Sequence, residues 1–310
     1  MQAIVARAFG GPDVLQLEEL EAPTPISTEA LVRVRYAGVN PVDCKTRRGG
    51  GVAAWVGEPP WVPGWDVAGV VEELGYGVTR FDVGDAVFGM PRFPRRAGAY
   101  AQYVAAPSLQ WARVPDRLEM VEAVALPLAG LTAWQALFDA ARIGPGSRVL
   151  VHGGSGGVGH LAVQLAVAAG AHVIATARRR HHELLSELGA AEVVDREKVS
   201  IREAADGADV VLDLVGGAET ERALDALRTG GTLLAVAEGA GPSVHERAAR
   251  RGIRVLEPLV EPDGRGLDRI TEVEDLRPHV VEVLPLAEAA RAHELLEAGG
   301  VGGKLVLEVS

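Results

Sequence analysis

The hydrophobic pattern in the middle of the chain predicts a strand, a tight turn and a helix. Residues 148–151 form a short aliphatic run that is typical of a strand buried on both faces. Glycines follow it, and apolar residues then recur at helical spacing as far as residue 169. A second aliphatic run covers residues 172–176. The pattern therefore predicts a β-α-β unit over residues 148–176.

Apolar strands continue to alternate with helices on either side of this unit. Further strands are predicted at 192–194, 210–214, 233–237 and 253–256, and helices at 119–129, 132–141, 183–188 and 219–227. Repeated strand–helix units predict a parallel sheet that is covered on both faces. We therefore expect an α/β domain of the doubly wound Rossmann type over residues 118–278.

The beginning of the chain shows a different pattern, with short alternating runs separated by Gly, Pro and Asp turns. Strands are predicted at 3–8, 15–17, 31–36, 67–74, 86–88 and 100–104. This spacing favours a partly open β-barrel. Near the other end, a helix is predicted at 286–298 and a strand at 302–309, which we expect to join the barrel. The second predicted domain thus comprises residues 1–117 and 279–310.

The turn between the first strand and the helix of the β-α-β unit is rich in glycine, and three of its glycines lie at positions 154, 156 and 159. Their spacing is that of a dinucleotide-binding fingerprint, in which the backbone turns tightly, approaches a pyrophosphate and lets helix pack on strand. The helix N-terminus adds N–H groups and a positive dipole end. The residues expected to line the pyrophosphate are Ser155, Gly156, Gly157 and Val158.

The residues after the second strand bear on the choice of cofactor. An NAD site carries an acidic residue there for the ribose 2′-hydroxyl, whereas Thr176 is followed here by Ala177 and three arginines at 178–180. Guanidinium groups suit a 2′-phosphate, and arginines at a helix start are otherwise unfavourable to the helix dipole. The sequence predicts NADPH, with Thr176, Arg178 and Arg179 near that phosphate. A solvated basic helix start is the alternative.

Composition narrows the class of protein. The net charge of −11 gives no general attraction to nucleic acid or to anionic lipid. The first residues alternate like a strand rather than a signal peptide, and no uninterrupted apolar stretch predicts a membrane span. The single cysteine, Cys44, excludes an internal disulfide and a cysteine-built metal site. We expect a cytoplasmic protein without nucleic-acid or membrane partners.

Several short motifs run in a fixed order along the chain. They are AGVNPVD at 37–43, PGWDVAGVV at 63–71, VGDAV at 83–87, GAYAQYV at 98–104, LTAW at 131–134 and GK at 303–304. With the glycine loop, they make the whole chain resemble a medium-chain dehydrogenase/reductase of the zinc-free quinone oxidoreductase, or zeta-crystallin-like, branch. The resemblance implies a GroES-like catalytic domain, a Rossmann domain and a homodimer.

The same resemblance bears on metal binding. Zinc-dependent members of the superfamily carry a cysteine at the position of Asn40 and a His-Glu pair at the positions of Trp65 and Asp66. Zinc requires three or four Cys, His or carboxylate ligands, so no metal site is predicted. Without a Lewis acid, hydride transfer to an activated C=C bond or a quinone is favoured over direct oxidation of an alcohol.

The resemblance also implies roles for single residues. Asn40 is expected beside the nicotinamide, donating to a substrate oxygen, and the alternative is a turn cap before Pro41. Lys45 replaces the pocket tyrosine of many quinone reductases and either stabilises a developing enolate or is simply solvated. Asp43 either orients the same turn or forms an ion pair. Further cofactor contacts are expected from Thr132, Arg196, Leu214, Val215, Ala237 and Lys304.

The predicted function is NADPH-dependent, zinc-independent reduction of an enone, an enal or a quinone by hydride transfer. Asn40 would stabilise the oxyanion, with Lys45 as a second candidate, and water would supply the proton. Two alternatives stay open: a metal-free carbonyl or alcohol dehydrogenase, and an NADPH-binding sensor or adapter without enzyme activity. The sheet edge near 233–237 and 253–256 is expected to support the dimer.

Overall fold

A computed structural model describes residues 1–309 and divides the chain into two compact units. The first unit contains Met1–Leu131, Glu261–Glu272 and the chain from Arg277 onward, and the second contains Thr132–Val260 and Val273–Leu276. Like the predicted barrel domain, the first unit is discontinuous in sequence. The domain bounds drawn from the sequence stay a prediction.

The strands are named in chain order. They are β1 (Gln2–Ala6), β2 (Leu15–Glu19), β3 (Glu29–Val39), β4 (Asp66–Leu74), β5 (Ala86–Gly89), β6 (Tyr103–Pro107), β7 (Trp111–Arg113), β8 (Arg148–His152), β9 (His172–Ala177), β10 (Glu192–Asp195), β11 (Ala208–Asp213), β12 (Leu227–Ala235), β13 (Arg254–Leu256), β14 (Val280–Pro285) and β15 (Lys304–Glu308).

The α-helices are named in the same way. They are α1 (Pro41–Arg47), α2 (Ala53–Val56), α3 (Met120–Ala123), α4 (Pro127–Trp134), α5 (Gly159–Ala168), α6 (His182–Glu187), α7 (Ile201–Ala205), α8 (Ala218–Ala226), α9 (Pro242–Arg250), α10 (Gly264–Thr271) and α11 (Ala289–Ala298). A π-helical segment, Gln135–Ala140, continues α4. None of the helices within residues 1–309 combines the length and the apolar character needed to traverse a bilayer.

The first unit is organised by a seven-stranded mixed sheet. Its strand order is β14-β15-β3-β4-β5-β7, and β6 also pairs with β3, while β1 and β2 form a separate antiparallel pair. The late strand β15 runs antiparallel to β3, with Leu305 opposite Val39. The closing strand therefore joins this sheet, as expected. This register brings the first residue of β15 beside the loop that follows β3.

The second unit is organised by a six-stranded parallel sheet. Its strand order is β10-β9-β8-β11-β12-β13, so the direction of winding reverses between β8 and β11. Central side chains such as Leu150, Ile174, Val211 and Leu233 are buried in one apolar core. All strands end at the same edge, and a winding reversal at that edge is where doubly wound sheets bind ligands. The predicted Rossmann class is confirmed.

One predicted strand is divided between two partners. Residues 100–104 were expected to form a single strand, but β6 begins only at Tyr103 and pairs with β3. The carbonyl of Tyr100 instead accepts the N–H of Ile4 at 2.8 Å, and Ala101 bridges Ala3. An alternating pattern marks extended backbone but does not say which strand pairs with each half of it.

The helix predicted at 119–129 is interrupted. Helix α3 ends at Ala123 and α4 begins at Pro127. Proline has no N–H to donate and restricts the residue before it, so it favours a new helix start over the interior of a helix. Helix α1 was not predicted at all, because its buried residues include Asp43, Thr46 and Arg47 rather than an apolar stripe.

Candidate functional site

The glycine loop of the second unit has the steric features of a nucleotide cradle. A Cβ atom built on Gly159 would lie 2.3 Å from the carbonyl oxygen of Gly153, and one built on Gly154 would lie 2.9 Å from Cβ of Ala175. Both positions are therefore closed to larger residues by the fold. A Cβ on Gly156 would meet nothing closer than 3.5 Å. The fold leaves space at Gly156, which is where the fingerprint brings the backbone close to a pyrophosphate.

The same loop offers hydrogen-bond donors. Within residues 1–309, the backbone N–H groups of Ser155, Gly157 and Val158 have no hydrogen-bond partner. They directly precede the ten-residue helix α5, whose positive dipole end favours an anion. Unsatisfied N–H groups at a helix N-terminus are suited to phosphate oxygens. The loop therefore fits the pyrophosphate of a dinucleotide.

Residues predicted on the later strands lie beside the glycine loop. A Cβ on Gly153 would lie 3.2 Å from Val215 and 3.5 Å from Leu214, and one on Gly216 would lie 3.2 Å from Ala237. The carboxyl ends of β8, β11 and β12 thus meet at one edge of the sheet, and binding of a cofactor by these residues stays a prediction.

Asp213 fixes the turn that follows β11 at the carboxyl edge of the parallel sheet, and this role was not predicted from the sequence. Its Oδ1 accepts the backbone N–H groups of Val215 at 3.0 Å and Gly216 at 3.2 Å, and its Oδ2 accepts the hydroxyl of Thr220 at 2.6 Å. The carboxyl is almost fully buried. It therefore fixes the turn that carries Leu214 and Val215. An acidic residue closing an aliphatic strand was the signal available in the sequence.

Thr176 makes internal contacts at the end of β9. Its hydroxyl lies 2.7 Å from Nδ1 of His152 and accepts the N–H of Gly153 at 3.2 Å. Burial lowers the pKa of His152. Thr176 thus stabilises the start of the glycine loop, and its contact with the ribose phosphate stays a prediction.

The arginines predicted near the ribose phosphate differ in their surroundings. Arg179 and Arg196 are exposed, and Nε of Arg178 lies 3.3 Å from a carboxylate oxygen of Glu197. The charge of Arg196 contributes to lowering the pKa of His152, so it acts at the end of β8. Glu197 was not anticipated, because it follows the third strand of the sheet rather than the second. Thr132, also predicted to bind cofactor, is buried in α4.

In the first unit, the sequence around Asn40 forms a helix start. Asn40 is the N-cap of α1, with Pro41 at the first helical position. Proline is favoured there because the first N–H groups of a helix lack partners. The backbone N–H of Asn40 donates to Oδ2 of Asp43 at 2.6 Å, one half of a capping box. The alternative reading of Asn40, as a cap before a proline, is therefore correct for its backbone.

The side chain of Asn40 belongs to a buried cluster that we call the amide cluster: Asn40, Asp66 and Lys304. Nδ2 of Asn40 donates to Oδ2 of Asp66 at 2.8 Å, and Nζ of Lys304 donates to the same oxygen at 2.9 Å and also to Oδ1 of Asn40. Oδ1 of Asp66 accepts the backbone N–H of Leu128 at 2.7 Å. No member is more than 2% exposed.

A second chain of buried polar groups leads to Asp43. The hydroxyl of Tyr100 lies 3.2 Å from Oδ2 of Asp43 and 3.2 Å from Nε2 of His293, whose Nδ1 lies 3.2 Å from Nη1 of Arg47. Arg47 also donates to Glu297 at 2.5 Å. We call Arg47, His293, Tyr100 and Asp43 the relay. Neither Tyr100 nor His293 was linked to Asp43 or Arg47 by the sequence, because these positions are far apart in the chain.

Burial controls protonation along the relay. Desolvation, with a contribution from the Asp66 charge, raises the pKa of Asp43 to about 7, against the opposing N–H of Asn40. Burial, reinforced by the Arg47 charge, lowers the pKa of His293 to about 3. His293 is therefore neutral near pH 7. Asp43 holds a proton through part of the neutral range, next to the ion pair of the amide cluster.

The remaining predicted group, Lys45, is half-buried on α1. Its neighbour Cys44 is buried, and desolvation raises the pKa of its thiol to about 12. Cys44 is thus a packed residue rather than a nucleophile. Across residues 1–309, no three His, Cys, Asp or Glu side chains are grouped in a way that could hold a metal ion.

Two family models each match part of this chain. Residues 27–116 match the family model described as the alcohol dehydrogenase GroES-like domain, and residues 188–307 match the model described as zinc-binding dehydrogenase. A quinone oxidoreductase of Pongo abelii is 31% identical over 99% of this chain and 97% of its own length. The chain belongs to the quinone oxidoreductase branch of the medium-chain dehydrogenase/reductase superfamily.

Two further proteins are similar to this chain over nearly its whole length. A 2-methylene-furan-3-one reductase of Solanum lycopersicum is 34% identical over 96% of this chain and 76% of its own length. A quinone oxidoreductase structure from Coxiella burnetii covers 100% of this chain and 99% of its own, with a TM-score of 0.93 and 37% identity.

Two further structures bear on the cofactor. A mycobacterial protein in complex with NADPH has a TM-score of 0.88 and 32% identity, covering 99% of this chain and 100% of its own. An NAD-dependent alcohol dehydrogenase has a TM-score of 0.90 and 33% identity, covering 100% of both chains. The medium-chain dehydrogenase/reductase family binds a nicotinamide cofactor, and this member is an oxidoreductase of a small molecule. The GroES-like and Rossmann assignments are confirmed.

Proposed function

We propose that this oxidoreductase uses NADPH to reduce an enone, an enal or a quinone, without zinc. The observation that carries the proposal is the amide cluster, in which a charged lysine and a carboxylate fix a buried asparagine amide. An N–H held in a buried environment is suited to a carbonyl oxygen that gains negative charge. The relatives named for quinones and for a methylene-furanone support acceptors of this class.

The proposed reduction adds one hydride and one proton to the acceptor. NADPH, when bound, supplies a hydride to the β-carbon of the enone, and the C=C electrons move so that the carbonyl oxygen becomes an enolate oxyanion. The role proposed for Asn40 is to donate an N–H to this oxygen. A proton from water then completes the α-carbon. With a quinone, hydride addition and one proton give the hydroquinone. Whether Lys45 adds a second donor is tested by Lys45→Met.

The loop and edge of the second unit support binding of the cofactor. We propose that Ser155, Gly156, Gly157 and Val158 hold the pyrophosphate through the loop N–H groups. Other contacts are proposed for Asn40, Thr132, Thr176, Leu214, Val215 and Ala237. Arg178, Arg179 and Arg196 are proposed to bind the 2′-phosphate, which favours NADPH over NADH. The similar protein in complex with NADPH supports this choice, and the NAD-dependent neighbour supports the other.

The charge of Lys304 supports zinc-independent chemistry. Zinc ligands in this superfamily would come from the positions of Asn40, Trp65 and Asp66, and the amide cluster gives Asp66 an ammonium partner instead. An asparagine amide and an indole are not zinc ligands of the usual kinds. A second cation beside Lys304 would also be repelled.

The decisive experiment combines binding with turnover. NADPH and NADH are titrated by fluorescence, and cofactor oxidation is then followed with enals, enones, quinones, simple ketones and aldehydes. We expect tighter binding of NADPH and turnover of the conjugated acceptors. Turnover confined to simple carbonyls or alcohols would favour the metal-free dehydrogenase, a reading supported by the alcohol dehydrogenase neighbour. NADPH binding without any turnover would favour the sensor.

We also propose a homodimer in the cytoplasm. The strand β13 is the last of its sheet and has one free edge, and Leu259 just beyond it is half exposed. An open edge of this kind is suited to pairing with a second copy. A single buried cysteine is compatible with a reducing compartment. Sedimentation of the protein at micromolar concentration tests the dimer.

A further inference from the structure

The amide cluster fixes the direction of every hydrogen bond within it. An ammonium only donates, so the atom of Asn40 that contacts Lys304 is the amide oxygen. Asp66 receives donors at both of its oxygens, from Leu128 on one side and from Asn40 and Lys304 on the other, so it acts as a carboxylate. If the Asn40 amide were rotated by 180°, its NH2 group would face the Lys304 ammonium and its oxygen would face the Asp66 carboxylate.

This arrangement leaves one donor on Asn40. The amide nitrogen has two hydrogens, and Asp66 accepts one of them. Among residues 1–309, the second hydrogen has no partner. The donor that remains is thus a single N–H whose direction is set by Lys304 and Asp66 together.

The ammonium also changes the strength of that donor. A charged donor at the amide oxygen draws electron density away from the nitrogen, which strengthens hydrogen bonds donated by Nδ2. The effect is large in this cluster because the three side chains are almost fully shielded from water. Lys304 is therefore able to act on a substrate oxygen without touching it.

We propose that Lys304 is a positioning residue that acts through Asn40, by fixing and polarising the amide so that its one remaining N–H stabilises the substrate oxyanion. The inference rests on the proposed function and replaces the direct cofactor contact expected of Lys304. Nζ already donates to two protein oxygens, and the side chain is 2% exposed.

The chain offers a direct probe of this role, because Asn40 is its only asparagine. Protein labelled with [15N]asparagine gives one side-chain NH2 pair in an NMR spectrum. We expect that pair to be shifted downfield and protected from solvent exchange. In Lys304→Met it should move upfield and exchange faster. The exposed lysine Lys198 supplies the matched control, and Lys198→Met should leave the pair unchanged.

Kinetics separate positioning from cofactor binding. In Lys304→Met we expect kcat to fall by about 10-fold or more, approaching the roughly 10²- to 10³-fold cost of removing an oxyanion donor, while the NADPH dissociation constant is unchanged. Combined with Asn40→Ala, the lysine substitution should cost nothing further, because the two residues act as a unit. Lys304→Arg should recover part of kcat, since it restores a charged donor.

Each failure has a distinct meaning. An unchanged NH2 pair and unchanged kcat in Lys304→Met would overturn the inference, as would a loss explained wholly by weaker NADPH binding. If that variant does not fold because Asp66 is left charged and buried, Asp66→Asn with Lys304→Met keeps the cluster neutral and tests the loss of kcat, while Asp66→Ala with Lys304→Met keeps a single asparagine for the NMR comparison. Absence of turnover in the wild-type enzyme would overturn the proposed function, while the NMR comparison would still test the positioning.

Discussion

The Arg47 guanidinium lies 3.2 Å from Nδ1 of His293, and this contact sets the direction of the whole relay. Arginine has no acceptor, so Nδ1 must accept and the ring proton must be on Nε2. Nε2–H then donates to the hydroxyl of Tyr100, whose own proton is directed to Oδ2 of Asp43. One donor-only side chain thus orients three others in the protein interior.

Replacing His293 tests this directionality. Glutamine can accept from Arg47 and donate to Tyr100, so we expect His293→Gln to stay within about 1 kcal/mol of wild-type stability at pH 8. His293→Leu leaves the buried guanidinium without that acceptor and should cost about 1–3 kcal/mol. Urea unfolding of the three proteins measures both. Equal losses in Gln and Leu variants would contradict the assigned tautomer.

The same pair of variants tests the pKa of His293. The folded protein keeps this group neutral down to about pH 3, whereas an unfolded chain protonates histidine near pH 6.5. Below pH 6.5 the unfolded state therefore binds the extra proton, and stability falls as the pH falls, by up to about 1.4 kcal/mol per unit. We expect His293→Gln to lack this component when unfolding is compared at pH 7 and pH 5.

Asp43 should show the opposite dependence. Its pKa is about 7 in the folded protein and near 3.8 otherwise, so the folded state holds a proton that the unfolded state has released. Its contribution to stability is complete below pH 3.8 and is lost as the pH rises through 7. Asp43→Asn should therefore gain stability relative to wild type between pH 4 and pH 8. If the unfolding free energies of wild type and Asp43→Asn changed in parallel with pH, this would contradict the raised pKa of Asp43.

The backbone of Asn40 reports the same titration. Its N–H donates to Asp43, so the backbone signal of [15N]asparagine protein should shift with a midpoint near pH 7. The neighbouring charges Asp66 and Lys304 act on the same carboxyl. Tyr100→Phe removes a donor that lowers the pKa of Asp43, so the midpoint should move to higher pH. Asp43→Ala, which adds no second asparagine, should abolish the shift.

Substitutions at two glycines of the loop should differ in their effects, with one weakening cofactor binding and the other destabilising the fold. Gly156→Ala meets no protein atom within 3.4 Å, so we expect an unchanged melting temperature and at least about 10-fold weaker NADPH binding. Gly159→Ala would bring Cβ to 2.3 Å from the Gly153 oxygen and should be strongly destabilising. Calorimetry measures the melting temperatures of both variants, and fluorescence titration measures their affinity for NADPH. Full NADPH affinity in Gly156→Ala would contradict a cofactor at this loop.

Glu197 should oppose the binding of a 2′-phosphate. Its carboxylate lies 3.3 Å from Arg178 and adds a negative charge beside the arginines proposed to bind that phosphate. Glu197→Gln should therefore tighten NADPH binding several-fold and leave NADH binding nearly unchanged, and added salt should weaken the difference. Glu192→Gln, at a carboxylate paired elsewhere, is the matched control. Equal effects on both cofactors would contradict the predicted phosphate site.

The parallel sheet was predictable because its strands are continuous aliphatic runs and its turns are marked by glycine. The glycine loop and the residues at the strand ends followed from the same pattern. Helix α1 was not predictable in this way, since its buried residues are polar and give no hydrophobic period. Asn40 was nevertheless singled out, because the resemblance named it and the proline after it marked a turn.

The amide cluster and the relay could not be predicted from the sequence, since each joins residues from distant segments. Lys304 was predicted near the cofactor, but its contact with Asp66 depends on the pairing of β15 with β3. His293 and Tyr100 are separated by 193 positions, and nothing in either local pattern marks a bond between them. Likewise, Glu197 reaches Arg178 only through the pairing of β10 with β9.

The separation of 264 positions between Lys304 and Asn40 has a kinetic consequence. Ends so far apart must meet before the ammonium can reach the amide, and contacts of large sequence separation form slowly because loop closure costs entropy. During refolding from denaturant, recovery of enzyme turnover should therefore lag behind recovery of the helical circular dichroism signal.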